Sequence, residues 1–330
     1  MADIDLVRLA RSYFAAKALL SAAELDLFTT LAEKALSEPE IRERLGLHPR
    51  ACRDWLDALT GLGVLVRDGD RYGNGRDAAA YLDATKPTYI GGFLHLLNYH
   101  YGNWAELTKL LRTGDPGSKG AQNFDAFYAD PRRVAQFMRA MDGAAAAVGP
   151  ALAHAFDWSR YRSFTDVGGA RGNLAADIVR AHPHLTGVTF DLPQVEPSFT
   201  EHMARLGMNG RVRFHGGDFF ADPLPETDVA VFGHVLHDWD DERRIALLEK
   251  AHKALPAGGR VVIYDALKDE IPGDPETFLM SLNMRLITPG GSEYTESECR
   301  SWLTAAGFRE VEVAPLTGPD ILVTARKGER

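Results

Sequence analysis

The stretch Phe164-Thr165-Asp166-Val167-Gly168-Gly169-Ala170-Arg171-Gly172 decides the fold of this chain. Apolar and β-branched residues run into three glycines, and the apolar residues that follow recur at helical spacing. The pattern predicts a strand, a tight turn and a helix N-terminus, whose glycine backbone lets a nucleotide-like ligand approach closely. A turn of this kind also connects strands to helices where no ligand binds, so further signals are needed.

Acidic and aromatic residues after the next two predicted strands supply such signals. Asp191 follows Val188-Thr189-Phe190, and a carboxylate at the tip of that strand can accept hydrogen bonds from both hydroxyls of a ribose. After the third strand, Asp218 can accept a hydrogen bond from an adenine amine, and Phe219 can stack on the ring. Together these residues predict an adenosine-containing cofactor.

The C-terminal half alternates short β-branched runs with helical patterns, which predicts an α/β fold with a doubly wound, mostly parallel seven-stranded sheet. The link Pro315–Asp320 is too short for a crossover helix, so the last strand is expected to be antiparallel to its neighbour. The predicted strands are Ser163–Val167, Gly187–Phe190, Val212–His215, Val229–Phe232, Arg260–Tyr264, Glu310–Ala314 and Ile321–Ala325.

The N-terminal half is predicted to be helical, and the length of the chain favours two domains, residues 1–155 and 156–330. Ser37-Glu38-Pro39-Glu40 forms a capping box, Pro49 begins a second helix, and Gly63–Tyr72 contains an Asp-Gly turn typical of a hairpin. This is a winged-helix pattern. Asp54 and Asp57 on the presumed recognition helix favour a structural module over a DNA reader.

Composition limits the function further. The chain has 330 residues and a formal net charge of −9, which argues against general affinity for nucleic acid. The sequence contains no run of 18 apolar residues, so no membrane span is expected. Two distant cysteines, Cys52 and Cys299, give no disulfide framework, so a cytoplasmic location is expected. The first predicted helix, Leu6–Leu20, is apolar on several faces, which indicates burial either against a partner subunit or within the chain's own core.

Two histidines follow the fourth strand. His237 stands at the sheet edge where open α/β sheets bind ligands, and an imidazole there is a candidate general base near neutral pH. His234 and His237 are three residues apart and on a helix could share a face. No third ligand occurs at a regular spacing, so no metal site is predicted.

With these residues in view, the chain resembles the caffeate-type (acetylserotonin-type) small-molecule O-methyltransferases, which use S-adenosylmethionine. The resemblance is carried by His237-Asp238-Trp239, the preceding Gly-Gly-x-x-Gly turn, Ala254–Arg260 and Pro289–Thr295, and it covers nearly the whole chain. It implies a homodimer in which the N-terminal domain dimerises and covers the substrate. It also points to the branch that acts on aromatic or polyketide-type natural products in bacterial secondary metabolism.

The resemblance also implies roles for individual residues. Asp166, Gly168 and Gly169 would bind the cofactor together with Asp191, Asp218 and Phe219, while His237 would deprotonate the acceptor hydroxyl and Asp265 and Glu293 would orient it. The aromatic and methionine clusters of the chain, together with Asn283 and Ile287 near the Gly-Gly-x-Glu element, are candidates for the acceptor pocket. These candidates are Trp104, Phe124, Phe127, Tyr128, Phe137, Met138, Met141, Met280, Asn283, Met284 and Ile287.

Two departures from the family pattern keep alternatives open. Asp265 stands where glutamate is usual, and Tyr294 stands where arginine is common. A C- or N-methyltransferase of the same fold is therefore an alternative. A nicotinamide oxidoreductase, which also uses a glycine turn and an acid, is a more distant one, and the Asp218-Phe219 loop and the C-terminal hairpin argue against it.

Overall fold

The computed structural model describes residues 5–86, 88–116, 131–144 and 146–328. The chain divides into two compact units, Met1–Gly102 with Arg139–Ala144, and Asn103–Met138 with Ala145–Arg330. Residues 146–155 thus group with the C-terminal half, and the division into domains 1–155 and 156–330 stays a prediction. Within the described residues, no helix is both long and apolar enough to cross a membrane.

The N-terminal unit is built from short helices and a small sheet. Its helices are α1 Leu6–Ala10, α2 Ser12–Glu24, α3 Leu27–Thr30, α4 Glu38–Leu45, α5 Pro49–Gly61, α6 Arg76–Tyr81 and α7 Gly91–Tyr101. Its described strands are β1 Leu36–Ser37, β2 Leu65–Asp68 and β3 Arg71–Asn74, paired antiparallel in the order β1-β3-β2. The predicted capping box opens α4, where Glu40 accepts hydrogen bonds from the backbone and hydroxyl of Ser37. Helix, helix and hairpin follow one another as predicted.

The C-terminal unit alternates helices and strands. Its helices, of which α9 is divided between the two units, are α8 Leu107–Thr113, α9 Pro131–Ala144, α10 Val148–Ala155, α11 Asn173–Ala181, α12 Glu196–Arg205, α13 Asp241–Ala254, α14 Pro275–Ile287 and α15 Glu296–Ala305. Its strands are β4 Ser163–Val167, β5 Thr186–Asp191, β6 Val212–Gly216, β7 Val229–Gly233, β8 Arg260–Ala266, β9 Phe308–Thr317 and β10 Asp320–Lys327.

Across the described residues, these seven strands form one sheet in the order β6-β5-β4-β7-β8-β10-β9. Strands β4 to β8 are parallel, and β10 is antiparallel to both β8 and β9, which confirms the predicted sheet and its hairpin. The chain leaves β4 toward β5 and β6, and then returns to place β7 on the other side of β4. This reversal creates a switch point at the carboxyl ends of β4 and β7, where sheets of this type bind ligands.

Both faces of the sheet are buried, as the continuous apolar strands require. Along β7, Val229 and Val231 pack into one core cluster with α11, while Ala230 and Phe232 pack into the opposite cluster with α13. The alternation follows from the two-residue period of a strand. Helices pack on both faces of the sheet, and the loops at the carboxyl edge extend from the ends of these buried strands.

Candidate active site

The glycine turn after β4 has a conformation that side chains would obstruct. Gly168 has a φ of +73°, and a Cβ added there would lie 2.7 Å from Cγ2 of Val235. A Cβ on Gly169 would lie 2.5 Å from Oδ2 of Asp166, so that carboxyl group lies directly against the turn. Because neither glycine can carry a side chain without displacing a neighbour, the turn keeps its backbone close to the switch point.

Asp191 joins the turn to the end of β5. Its Oδ2 accepts a 2.8 Å hydrogen bond from the backbone N–H of Ala170, and its Oδ1 accepts one of 2.7 Å from Leu192. Burial raises the pKa of Asp191 to about 6, against the two backbone N–H groups, which lower it. A carboxylate oxygen accepts more than one hydrogen bond, so both oxygens of Asp191 keep acceptor capacity for a ligand.

The loop after β6 contains the other predicted cofactor residues. Asp218 is exposed, and its Oδ1 accepts a 2.8 Å hydrogen bond from the backbone N–H of Phe220. Phe219 is half-buried and meets the ring of Trp239 edge-on, with centroids 6.0 Å apart. Its Cε1 lies 4.0 Å from the position a Gly168 Cβ would take. The structure thus brings the three predicted cofactor loops together at one sheet edge.

His237 lies in a short 3₁₀ helix, Leu236–Asp238, just after β7. Its Nδ1 donates a 2.9 Å hydrogen bond to Oε1 of Glu293, so that in the neutral imidazole Nε2 is the acceptor. Asp265 lies 4.0 Å from Nδ1 and Asp238 lies 3.8 Å from Nε2, both beyond hydrogen-bonding distance. Burial by itself lowers the pKa of His237, but the charges of Glu293 and Asp265 outweigh it and raise the pKa to about 10.

Asp265 has a different partner from the one the sequence suggests. The hydroxyl of Tyr294 donates a 2.5 Å hydrogen bond to Oδ2 of Asp265, and both residues are fully buried. Burial raises the pKa of Asp265 to about 6. Asp265 and Tyr294, the two residues that depart from the family pattern, are therefore hydrogen-bonded to each other. The orienting role expected of Asp265 stays a prediction, and its geometry gives it influence on His237 through charge alone.

The residues predicted to bind the methyl acceptor fall into separate groups. Trp104 donates a 3.2 Å hydrogen bond from Nε1 to Oδ1 of Asn283, and Met284 and Ile287 pack in the same apolar cluster beside it. Met280 is next to Asn283, with its sulfur 4.0 Å from the amide nitrogen. The segment after this helix returns to the base, because Ser292 N–H donates to the carbonyl oxygen of His237 at 2.9 Å.

The remaining candidates lie elsewhere. Phe137 and Met138 pack with Val134, Val195 and Leu192 in a small core cluster that also contacts Ala170 of the glycine turn. Met141 belongs to the N-terminal unit. Phe124, Phe127 and Tyr128 lie outside the described residues. Their roles in binding an acceptor stay predictions.

Sequence reasoning missed two contacts of this site. Arg244 donates to the carbonyl oxygens of Leu236 at 2.9 Å and Ser292 at 2.5 Å, the residues that directly precede His237 and Glu293. Asp320, at the start of β10, accepts a 2.9 Å hydrogen bond from Nε2 of His234. Neither contact has a local signal, because the partners are 8 to 86 positions apart in sequence.

Comparison with known proteins identifies the two halves. Residues 104–309 match the model of the O-methyltransferase domain, and residues 7–84 match the O-methyltransferase dimerisation domain. Tetracenomycin polyketide synthesis 8-O-methyl transferase TcmO of Streptomyces glaucescens is 47% identical over 98% of this chain and 96% of its own length. N,N-dimethyltransferase OxyT of Streptomyces rimosus is 44% identical over 92% of this chain and 90% of its own length.

Solved structures show the same likeness over the whole chain. Human N-acetylserotonin methyltransferase in complex with SAM superposes with a TM-score of 0.91 and 28% identity, covering 99% of each chain. The expected fold, enzyme class and cofactor are confirmed. With the glycine turn, Asp191 and His237 gathered at the switch point, the chain belongs to the S-adenosylmethionine-dependent O-methyltransferase family.

Proposed function

We propose that this enzyme transfers the methyl group of S-adenosylmethionine to a phenolic hydroxyl of an aromatic, polyketide-type natural product, with His237 as the general base. The observation that carries the proposal is the hydrogen bond from His237 Nδ1 to Glu293, because in the neutral imidazole it leaves Nε2 to accept the proton of the hydroxyl. TcmO, whose name gives a polyketide 8-O-methylation, supports the acceptor class.

The residues at the carboxyl edge fit the cofactor. Gly168 and Gly169 leave a cradle that a Cβ would fill, and Asp191 keeps acceptor capacity at the tip of β5 for ribose hydroxyls. Phe219 lies beside the cradle, where it would stack on adenine, with Asp218 at the adenine amine and Asp166 supporting the turn. The sulfonium methyl of the bound cofactor is the electrophile, and its transfer is an in-line displacement that requires close alignment.

Side chains of the enzyme accept the proton of the acceptor hydroxyl. A phenol is a poor nucleophile until it is deprotonated, and a positioned base typically contributes about 10²–10⁴-fold. Nε2 of His237 takes the proton, and Glu293 stabilises the imidazolium through the 2.9 Å bond at Nδ1. Met280, Asn283, Met284, Ile287 and Trp104, on or beside α14, would hold the acceptor near this base. Because Glu293 balances the positive charge of the imidazolium, the proton transfer can proceed with water excluded.

One observation supports N-methylation as a second candidate reaction. OxyT, which is named as an N,N-dimethyltransferase, is 44% identical to this chain. A neutral amine is already nucleophilic, so N-methylation would need His237 much less than O-methylation. The two reactions therefore differ in their dependence on the base.

The experiment compares two matched acceptors. The enzyme is incubated with [methyl-¹³C]S-adenosylmethionine and either a hydroxylated naphthoate or its amino analogue, and the product is analysed by ¹H–¹³C correlation NMR. We expect an O-methyl signal from the hydroxyl compound and little or no N-methyl signal from the amine. A product methylated only on nitrogen would reject the proposed reaction and leave the family assignment standing.

We further infer a homodimer formed through the N-terminal module. Leu6, Val7, Leu9, Tyr13 and Phe14 of α1 and α2 are large apolar residues that remain exposed in the single chain, and their segment overlaps the dimerisation domain. Such a surface is typical of an interface with a second copy. Sedimentation equilibrium on the wild type and on Phe14→Glu tests this, and a monomeric wild type would contradict it.

The cytoplasmic location stays a prediction from the two free cysteines.

A further inference from the structure

The proposed base and its acid come from two separate segments of the chain. His237 lies in the 3₁₀ helix after β7, and Glu293 lies between α14 and α15, 56 positions away. Their 2.9 Å hydrogen bond therefore depends on how the two segments are held together. The N–H of Ser292 donates to the carbonyl oxygen of His237 at 2.9 Å, and a Cβ on Gly291 would lie 2.5 Å from that same oxygen. The two segments thus pack backbone against backbone.

Arg244 of α13 joins the same two segments through its side chain. Its Nε donates a 2.9 Å hydrogen bond to the carbonyl oxygen of Leu236, and its Nη2 donates one of 2.5 Å to the carbonyl oxygen of Ser292. Leu236 directly precedes His237, and Ser292 directly precedes Glu293. The N–H groups of a guanidinium form a rigid planar fork, so the spacing of the two carbonyl oxygens is set by the covalent geometry of one side chain.

The guanidinium of Arg244 also contacts two aromatic rings beside the site. Its Cζ lies 5.0 Å from the ring centroid of Tyr294 and 4.7 Å from that of Trp302, and the two rings meet edge-on with centroids 4.9 Å apart. A cation over aromatic rings is attracted by their negative faces, which helps to hold the guanidinium in one place. The hydroxyl of Tyr294 in turn donates to Asp265. Arg244 therefore contacts the neighbours of the base and of both acids.

The position of Arg244 is costly for the stability of the fold. Arg244 is only 2% exposed, and burying a guanidinium removes its hydration. It is the fourth residue of α13, near the helix N-terminus, where the helix dipole disfavours a cation. The carboxylate of Asp241 lies 3.1 Å from Nη1, but the Asp241 side chain is 68% exposed, so solvent screens this pair. A residue that departs from local rules in this way is typical of a functional site.

We propose that Arg244 is a positioning residue of this active site, whose guanidinium fixes the spacing between the backbone before His237 and the backbone before Glu293 and so keeps Nδ1 aligned with its acid. This rests on the proposed role of His237 as the base. Arg244 acts through His237 and Glu293 and takes no part itself in the transfer of the methyl group or the proton. Displacement of a catalytic group by about 1 Å can cost about 10²-fold in rate, so the spacing matters for turnover.

The test observes the hydrogen bond of His237 directly and does not require the natural acceptor. The full-length protein is labelled with [¹⁵N]histidine and saturated with S-adenosylhomocysteine, and the Nδ1–H proton of His237 is observed by ¹H–¹⁵N NMR and assigned from its loss in His237→Gln. Arg244→Met removes every hydrogen bond of the guanidinium, whereas Arg244→Lys keeps the charge but lacks the planar fork. The control is Leu248→Ala, because Leu248 is buried one turn along the same helix and its truncation lowers stability without removing these hydrogen bonds.

In both Arg244 variants the Nδ1–H signal should move upfield and the proton should exchange with water at least about tenfold faster, because its hydrogen bond to a charged acceptor is weakened. With a hydroxylated naphthoate, kcat should fall about 10–100-fold while the KM for S-adenosylmethionine stays within about twofold of the wild type. Leu248→Ala should lower the unfolding temperature but leave the signal position and kcat close to the wild type. If Arg244 served stability alone, Arg244→Lys would behave like Leu248→Ala.

A Nδ1–H signal at the wild-type position in both Arg244 variants would overturn the inference, and so would an equal displacement of the signal in Leu248→Ala. Should Arg244→Met fail to fold, Arg244→Lys decides the question by the same criteria. Failure of the proposed function gives a different result. In that case His237→Gln would retain nearly full methyl transfer to a hydroxylated naphthoate, while the Nδ1–H signal would still move in the Arg244 variants.

Discussion

The hydroxyl of Tyr294 donates a 2.5 Å hydrogen bond to Oδ2 of Asp265, whose other oxygen lies 4.0 Å from Nδ1 of His237. Glu293 is therefore left as the hydrogen-bonded partner of the base, while Asp265 contributes charge. One acid orients the ring and the other sets its electrostatic environment. This division separates the effects expected from changing each residue.

Tyr294→Phe should raise the pKa of Asp265. Burial raises the pKa of Asp265 to about 6 and the Tyr294 hydrogen bond lowers it, so loss of the hydroxyl raises it further. The carboxyl ¹³C NMR signal of Asp265 should therefore titrate about 0.5–1 pH unit higher in the variant than in the wild type. Tyr72→Phe, which loses a similar 2.7 Å bond to Asp57 in the N-terminal unit, is the control and should leave the Asp265 midpoint unchanged. A lower Asp265 midpoint in Tyr294→Phe would contradict this division of roles.

Gly168→Ala should abolish most cofactor binding. The substitution places a methyl group 2.7 Å from Cγ2 of Val235 in a turn with φ +73°, so the cradle must distort. Gly210→Ala is a matched control, because its φ of +76° imposes the same strain and nothing lies within 4 Å of the added atom. Calorimetry with S-adenosylhomocysteine should show at least about a tenfold loss of affinity for the first variant alone. Equal losses would mean that strain, not contact, decides binding.

Asp191→Ala should weaken S-adenosylhomocysteine binding at least about tenfold, since hydrogen bonds to a charged acceptor contribute about 1.5–3 kcal/mol each. Asp228→Ala is the comparison. Its carboxylate also accepts two backbone N–H bonds, from Arg162 and Ser163, but at the amino edge of the sheet. Both variants lose the same kind of structural contact, and only the first should lose ligand affinity. An unchanged dissociation constant for Asp191→Ala would reject the ribose assignment.

Asp166→Asn should stabilise the protein at pH 8 but have little effect at pH 4. Burial and the charge of Asp191 raise the pKa of Asp166 to about 7, whereas the unfolded value is about 3.9. The folded state thus binds more protons between about pH 4 and pH 7, so stability falls as pH rises through that window. Removing the group removes this loss, and the unfolding temperature at pH 8 should rise by at least about 2 °C. Equal effects at both pH values would argue against a carboxylate whose charged form is destabilised by burial and by Asp191.

Much of the fold was predictable because its signals are local. The apolar runs of β4 to β8 and the short hairpin link each depend on neighbouring residues, and the strands form within a few residues of the expected bounds. The capping box at Ser37 and the Asp-Gly hairpin are equally local. Element ends shifted slightly, since β5 also includes Asp191, whose backbone pairs with Gly216.

The site was only partly predictable because its polar partners are distant in sequence. The motif identified His237 and Glu293, but no periodicity could show that Tyr294 would take Asp265, or that Asp320 would reach His234 from the C-terminal hairpin. The sequence suggested His234 and His237 only as a possible metal-binding pair on one helix face, whereas their rings are stacked and only His237 lies in the short 3₁₀ helix. Side-chain pairing across strands depends on tertiary packing that a single sequence does not display.

The central claim is that His237 removes a proton from a hydroxyl acceptor. The most direct measurement is the turnover of His237→Gln across pH, at saturating S-adenosylmethionine with a hydroxylated naphthoate, alongside calorimetry with S-adenosylhomocysteine. We predict a loss of about 10²–10⁴-fold at pH values where the imidazole of His237 is unprotonated, with cofactor affinity nearly intact. A loss smaller than about fivefold, well below the range of a general base, would contradict it.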